Sequence, residues 1–321
     1  MECWKKVKEL GSGSYGKVFL ATRVASYSHC QPSSMAVKTA ERNQLFLLRE
    51  EKKFLAEFND GMSAPNPNII QCFGDDTSVE NGRIVYNLLM EYAAGGSLRE
   101  LIASSSKGGG MPEFHVASRE CSRVSARVTP SVKIADFGFA RWVSEPEQPH
   151  DMVSHGTQDF DRFYNRGTAM YSSPESMTFG LHDTGTDIWS LRCIVYEMIT
   201  GEHIWKLGTT NRDLLRQILG GKFQIPERCH LSQEAVDFLG KCLVTDPKYR
   251  WSASKLLQHP FIVNNVMIAS QIHDIDWLNR KTDHQINSPF GVRDWVSKRQ
   301  LFSITPMLEA LHQSQKASTT S

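Results

Sequence analysis

The sequence predicts an α+β fold, rich in strands before about residue 92 and mainly helical after it. Three observations carry this reading. Short alternating apolar runs at Val18–Ala21, Met35–Lys38, Ile69–Phe73, Ile84–Tyr92 and Val132–Ile134 read as strands. A single segment among the early runs, Leu45–Phe58, instead spaces its apolar residues as one helical stripe, at 45, 47, 48, 54, 55 and 58. Beyond Ala94-Gly95-Gly96-Ser97, a linker by composition, the spacing turns helical at Leu98–Ala103, Leu231–Leu243 and Ser252–His259.

Composition narrows the function classes. The chain has 321 residues, 40% hydrophobic and 22% charged, with a net charge of +1. That is enough for one large domain or two lobes, and too balanced to point to nucleic acid or an anionic membrane as partner. Seven scattered cysteines, with no CxxC pair, argue against a zinc site or a disulfide framework and fit a reducing compartment. Met1-Glu2-Cys3-Trp4-Lys5-Lys6 lacks the apolar core of a signal peptide, and no apolar run reaches the length of a membrane span. The expectation is a soluble cytoplasmic protein, with the nucleus left open as a second location.

Each element in turn adds chemistry. Glycines at 11, 13 and 16 form a GxGxxG that lets backbone fold close over phosphates. A dinucleotide-binding turn is the first rival, but it wants a helix next, and Val18-Phe19-Leu20-Ala21 continues as strand. Lys38 ends the apolar run Met35-Ala36-Val37 and is a candidate phosphate ligand. Glu51, on the helix, can reach inward to Lys38 or stay solvated beside Arg49 and Lys52. Asn66-Pro67-Asn68 marks a break after that helix, and a polar loop is expected between Phe73 and Ile84. Later, Val132-Lys133-Ile134-Ala135 runs into Asp136-Phe137-Gly138, a buried strand ending in a turn that carries an acid suited to magnesium.

This order of GSGSYGKV, AVK, an acid-bearing helix, NPNII, LLMEYAAGGSL, DFG, RGTAMYSSPES, DIWSL and DPKYR resembles a eukaryotic protein kinase, in wording most like plant MEKK-type mitogen-activated protein kinase kinase kinases. The resemblance covers residues 4–262. It implies a bilobal fold, a β-rich N-lobe with one helix over 4–92 and a mainly α C-lobe over 93–262, with a tail of unknown role over 263–321. It implies ATP and Mg2+ as cofactors. By motif, Gly11, Gly13 and Gly16 cover the phosphates, Val18 and Ala36 sandwich the adenine, and Lys38 pairs with Glu51 at the inner phosphates. Met90 is the gatekeeper, the backbones of Glu91 and Ala93 meet the adenine edge, and Asp136 binds the metal. The implied partner is a protein substrate or signalling protein, such as a mitogen-activated protein kinase kinase.

One part of the pattern is missing. The family carries a catalytic loop, His-Arg-Asp-Leu-x-x-x-x-Asn, upstream of Asp-Phe-Gly, whose Asp takes the substrate proton and whose Asn holds a second magnesium. Between Met111 and Pro130 this chain reads MPEFHVASRECSRVSARVTP, without Asp, Asn or Lys. No general base is therefore assigned, and the C-lobe is expected to be internally truncated. Asp76…Asn81 and Asp274…Asn279 share the loop's spacing, but Asp76 falls in the presumed loop before Ile84 and Asp274 in the tail. Phe114, Ala117, Cys121, Val124 and Val128 recur at helical spacing after Pro112, so a short remnant of the family's central helix is expected there.

The remaining stretches are more ordinary. Ser144–Asn165 is polar with two prolines and reads as a loop, and Ser154, Thr157 and Tyr164 within it are candidate phosphosites. By resemblance Thr168 lies near substrate, and Glu175 pairs with Arg250. Asp187-Ile188-Trp189-Ser190-Leu191 matches the start of a buried helix that anchors the catalytic loop. Arg192 stands where the family has Gly, so it either clashes or occupies space left by the missing loop. Trp277, Trp295 and Thr305–Gln313 either dock on the lobe or meet a partner, against a plain reading as loose tail. Three functions follow: an ATP-binding pseudokinase or impaired kinase in signalling, an active serine/threonine kinase, or the non-functional product of a deleted or mis-spliced gene.

Overall fold

Five antiparallel strands form one sheet in the order β1-β2-β3-β5-β4, with β1 Trp4–Gly13, β2 Gly16–Arg23, β3 Ser34–Glu41, β4 Cys72–Glu80 and β5 Arg83–Glu91. The computed structural model describes residues 4–13, 16–24, 33–41, 45–59, 66–105, 111, 133–140, 168–206, 210–221, 223–264, 307–309 and 311–312. The chain divides into two compact units, one of residues 1–97 and 133–142 and the other of residues 98–132 and 143–321. In the first, a β-sheet carries the one helix α1, Leu45–Asn59; in the second, every regular element among the described residues is a helix.

Register decides what each face of the sheet carries. Residues directly opposite in an antiparallel pair share a face, and neighbours along a strand alternate. Trp4, Ala21, Met35, Val37 and Leu89 form one apolar layer, with Phe73 packed against it. The other face follows from the pairs Val18↔Lys38, Leu20↔Ala36, Ala36↔Met90 and Lys38↔Leu88. Helix α1 lies over that second face, because Glu51 meets Lys38, and its Leu48 and Leu55, on the same stripe as Glu51, are fully buried.

Two expectations about this unit are corrected. The polar loop expected between Phe73 and Ile84 is strand: β4 runs to Glu80, and the connection is a two-residue turn at Asn81-Gly82 with φ of 51° and 75°. Positive φ at both central positions is the type I′ hairpin geometry, which Asn-Gly supplies at little cost. Asp76 therefore sits within β4, paired to Asn87, and not in a loop. The other correction concerns Ile69–Phe73 and Val132–Ile134. Ile69 and Ile134 make a single parallel bridge, and strand proper begins at Cys72. Ile134 is only half-buried there.

In the second unit α2 spans Leu98–Ser105, followed by α3 Pro174–Phe179, α4 Thr184–Thr200, α5 Asn211–Gly220, α6 Gln233–Cys242 and α7 Ala253–Leu256. Helix α4 is the centre. Asp183 caps it through a reciprocal capping box with Thr186, and Gly201 ends it at φ 74°. It is buried nearly all round, as a helix apolar on every side must be, with Trp189 stacked on Trp205 at 6.1 Å. Arg250 Nη1 and Nη2 donate to Glu175 at 2.7 and 3.1 Å, and Nη1 also donates to the Gly185 carbonyl at 2.6 Å, so the expected ion pair also ties α3 to the start of α4. The Ser252–His259 helix is shorter than its spacing suggests. It ends at Leu256, and a new turn opens at Pro260, where a proline fits only a first turn.

Arg192 stands among packed side chains. It is fully buried in α4, with its guanidinium carbon 4.1 Å from the Phe223 ring centre. Residues 112–132 and 141–167 lie outside the described residues, and with them the expected helix remnant, the proposed loop and the three candidate phosphosites. Trp277 and Trp295 lie outside them as well, whereas Met307, Leu308 and Leu311 pack on the core of the second unit.

Candidate functional site

Lys38 is the hub of the site. Its Nζ donates to Glu51 Oε2 at 2.6 Å and to Asp136 Oδ1 at 2.6 Å. Three separated segments thus meet: β3, α1 and the stretch after the Ile69–Ile134 bridge. Each is placed by a local cause. Lys38 alternates onto the α1-facing side of β3 after buried Val37, while Glu51 sits on the Leu48/Leu55 stripe of α1. Asp136 follows a segment clamped by Ile70 N–H to the Ile134 carbonyl at 2.9 Å and Ile134 N–H to the Asn68 carbonyl at 2.8 Å.

The electrostatics follow from burial. Desolvation alone would lower the Lys38 pKa, but the Glu51 charge, then Asp136, outweigh it and hold the ammonium above its ordinary value. Glu51 is fully buried. Desolvation lifts its carboxyl, with Lys38 pulling the other way. Its second oxygen accepts from the Phe137 N–H at 3.2 Å, and the Phe137 ring stacks on Phe54 at 5.1 Å. Asp136 differs from both partners: its side chain is 72% exposed and its backbone has φ 69°. Asp tolerates that left-handed conformation better than most residues, and such strain gathers where a side chain must be aimed.

Around this hub the other predicted residues take defined places. Gly11, Gly13 and Gly16 lie in the β1–β2 hairpin, with Gly11 opposite Val18 and Gly13 opposite Gly16. Gly16 has φ 125°, and a Cβ there would stand 2.2 Å from the Thr39 carbonyl oxygen, so glycine is obligatory where the hairpin crosses β3. The hairpin tip, Ser14 and Tyr15, lies outside the described residues. Val18, Ala36 and Met90 share the face of Lys38, with Ala36 8% and Met90 6% exposed. Glu91 closes β5, its N–H donating to the Gln71 carbonyl at 2.9 Å, and the Ala93 carbonyl accepts from Gly96 N–H at 3.1 Å.

Sequence reasoning missed several partners. Lys133 Nζ meets Glu91 at 2.9 Å, bracing the segment before Asp136 against the end of β5. Its signal was a lone lysine alternating with Val132 and Ile134. Leu20 and Leu88 share the Lys38 face and were equally readable from register once β2, β3 and β5 were paired. Thr168 is placed in the second unit, exposed, just before a 3-10 turn at Ala169–Tyr171.

A family model of the protein kinase domain matches residues 121–262, and one of protein tyrosine and serine/threonine kinases matches residues 4–126. Mitogen-activated protein kinase kinase kinase 20 of Arabidopsis thaliana is 33% identical, the match covering 81% of this chain and 78% of the relative. The chain belongs to the protein kinase family. Within that family it is of the serine/threonine type, like mitogen-activated protein kinase kinase kinases. A second Arabidopsis thaliana relative, mitogen-activated protein kinase kinase kinase 18, is 33% identical over 81% of this chain and 78% of its own length. In Homo sapiens, mitogen-activated protein kinase kinase kinase 4 is 30% identical over 81% of this chain and 16% of its own length. For a kinase-family chain, the sheet with one helix and the helical second unit are the expected lobes. Lys38 and Glu51 lie within the residues matched by the second of these models, and Asp136 within those matched by the first.

Proposed function

We propose that this chain binds ATP with magnesium at the first unit and acts in signalling as a pseudokinase or strongly impaired kinase of a mitogen-activated protein kinase cascade. The observation that carries the nucleotide part is Lys38 held between a buried and an exposed carboxylate, both at 2.6 Å. A cation so fixed is ready for phosphate oxygens, and an exposed Asp136 is open to a hard metal. Among the described residues no three His, Cys, Asp or Glu side chains cluster, so magnesium would rest on Asp136 and on phosphate oxygens. Val18, Ala36 and Met90 offer an apolar bed for a base. With the Glu91 N–H and the Ala93 carbonyl committed, the base edge would use the Glu91 carbonyl and the Ala93 N–H.

The impaired reading rests on what lies between Glu91 and Asp136. The run from Met111 to Pro130 holds no Asp to take a substrate proton and no Asn for a second metal. Asp187, at the start of the helix that in the family anchors the catalytic loop, is exposed. A general base contributes about 10²–10⁴-fold, and losing the loop removes positioning as well.

A mitogen-activated protein kinase kinase is the protein partner of this proposal, suggested by the names of the relatives, and the cytoplasm is its proposed location. A thermal melt of the purified chain with and without magnesium and ATP tests nucleotide binding. A nucleotide-dependent rise in Tm that Lys38→Met abolishes is expected; equal responses of mutant and parent would sink the site. Phosphotransfer to a mitogen-activated protein kinase kinase is expected near background. Turnover at ordinary kinase rates that disappears in Asp136→Asn would establish the active reading instead.

A further inference from the structure

The core of the second unit contains one member from far along the chain. Leu308 is fully buried in the cluster that includes Ile102 of α2, Met111, α4 and Phe261, and Met307 and Leu311 pack against the same cluster. After Ile262, Leu308 is the only fully buried apolar side chain among the described residues. It reaches the core across residues 265–306.

We infer that residues 307–309 and 311–312 are an intramolecular ligand of the second unit: helical residues whose Met307, Leu308 and Leu311 occupy an apolar acceptor site that the rest of the unit leaves open. Spacing supports this. Leu308 and Leu311 are three apart, neighbours on one helical face, and Met307 is four from Leu311. The segment is far too short to be helical alone in water, so docking supplies its order. An isolated apolar turn that is ordered only by docking is also an element that can be released. Its connection to Ile262 through the same chain raises its effective concentration at the site and favours capture in cis. The docking is independent of nucleotide chemistry.

The test uses the full chain. Leu308→Asp should lower Tm by about 5–15 °C, as expected for losing a fully buried leucine in a domain of this size. A labelled peptide of residues 305–321 should bind the Leu308→Asp chain saturably, restore its Tm, and bind the parent at least tenfold more weakly, because the parent's own segment holds the site. The same peptide carrying Leu308→Asp should bind neither. Equal binding to both chains, or to neither, would overturn the inference. So would protein-concentration-dependent dimers of the parent, which would mean that the segment docks on a second copy. Hydrogen exchange on the parent keeps the idea testable even if Leu308→Asp does not fold: amides of 307–312 exchanging at unfolded-chain rates would refute it, and protected amides would support it.

Discussion

Replacing Arg192 by methionine should stabilise this protein. The side chain has no solvent exposure, and its Nε, Nη1 and Nη2 all lack a hydrogen-bond partner among the described residues. Desolvation lowers its pKa by more than three units from the ordinary arginine value, to about 9. At about 1.36 kcal/mol per unit, that corresponds to a cost on the order of 5 kcal/mol for keeping the charge inside. The Phe223 ring, 4.1 Å from the guanidinium carbon, returns about 2 kcal/mol. Methionine keeps most of the volume and carries no charge, so Arg192→Met should gain roughly 3 kcal/mol, within the 1–4 kcal/mol typical of such replacements. In a melt at pH 7 this is a rise of about 6–12 °C in Tm. The gain should be largest below about pH 9. The folded-state pKa is depressed, so the folded parent binds fewer protons than the unfolded chain above that pH. Its penalty therefore fades as pH rises toward 12.5. Arg192→Gly is the wrong probe, since it would open a cavity and weaken the helix. A loss of stability in Arg192→Met would refute the reasoning and mean that the guanidinium has a partner.

Breaking the Glu175–Arg250 pair from one side, with Arg250→Met, should cost about 3–5 kcal/mol in urea unfolding, because a carboxylate only 7% exposed is left without its cation. Despite desolvation, Arg250 holds the Glu175 carboxyl below its ordinary value, so the pair's contribution is present above about pH 4.5 and is lost as pH falls through the depressed pKa; parent and Arg250→Met should converge in acid melts. Gly16→Ala should lower Tm and weaken any nucleotide effect, because its Cβ would overlap the Thr39 carbonyl at a positive φ; an unchanged melt would show that the hairpin can shift. Glu51→Gln should keep the fold but weaken the nucleotide-dependent rise in Tm, since Lys38 then leans on Asp136 alone; an unchanged rise would show that Glu51 does not position the lysine.

Much of the first unit was readable because its determinants are local. Alternation placed Val37 inward and Lys38 on the other face, and the helical stripe of Leu45–Phe58 carried Glu51 toward the sheet. The β4–β5 hairpin was misread although Asn81-Gly82 was in plain view: the acids of Cys72–Glu80 look like loop, yet in a sheet-edge strand acidic side chains can face solvent. The lysine bridge from Lys133 to Glu91 joins residues remote in sequence, and periodicity does not report such pairs.

By itself the sequence determined the kinase family, the order of elements, and the lack of Asp and Asn between Met111 and Pro130, because these are matters of residue identity and local spacing. Only the tertiary structure decided that Lys38 is shared by two carboxylates, that Arg192 is buried with no hydrogen-bond partner among the described residues, and that Leu308 belongs to the core. Each of those depends on which distant segments come within a few ångströms of one another. Packing density and desolvation, acting on the folded chain as a whole, set that proximity and its energetic consequences.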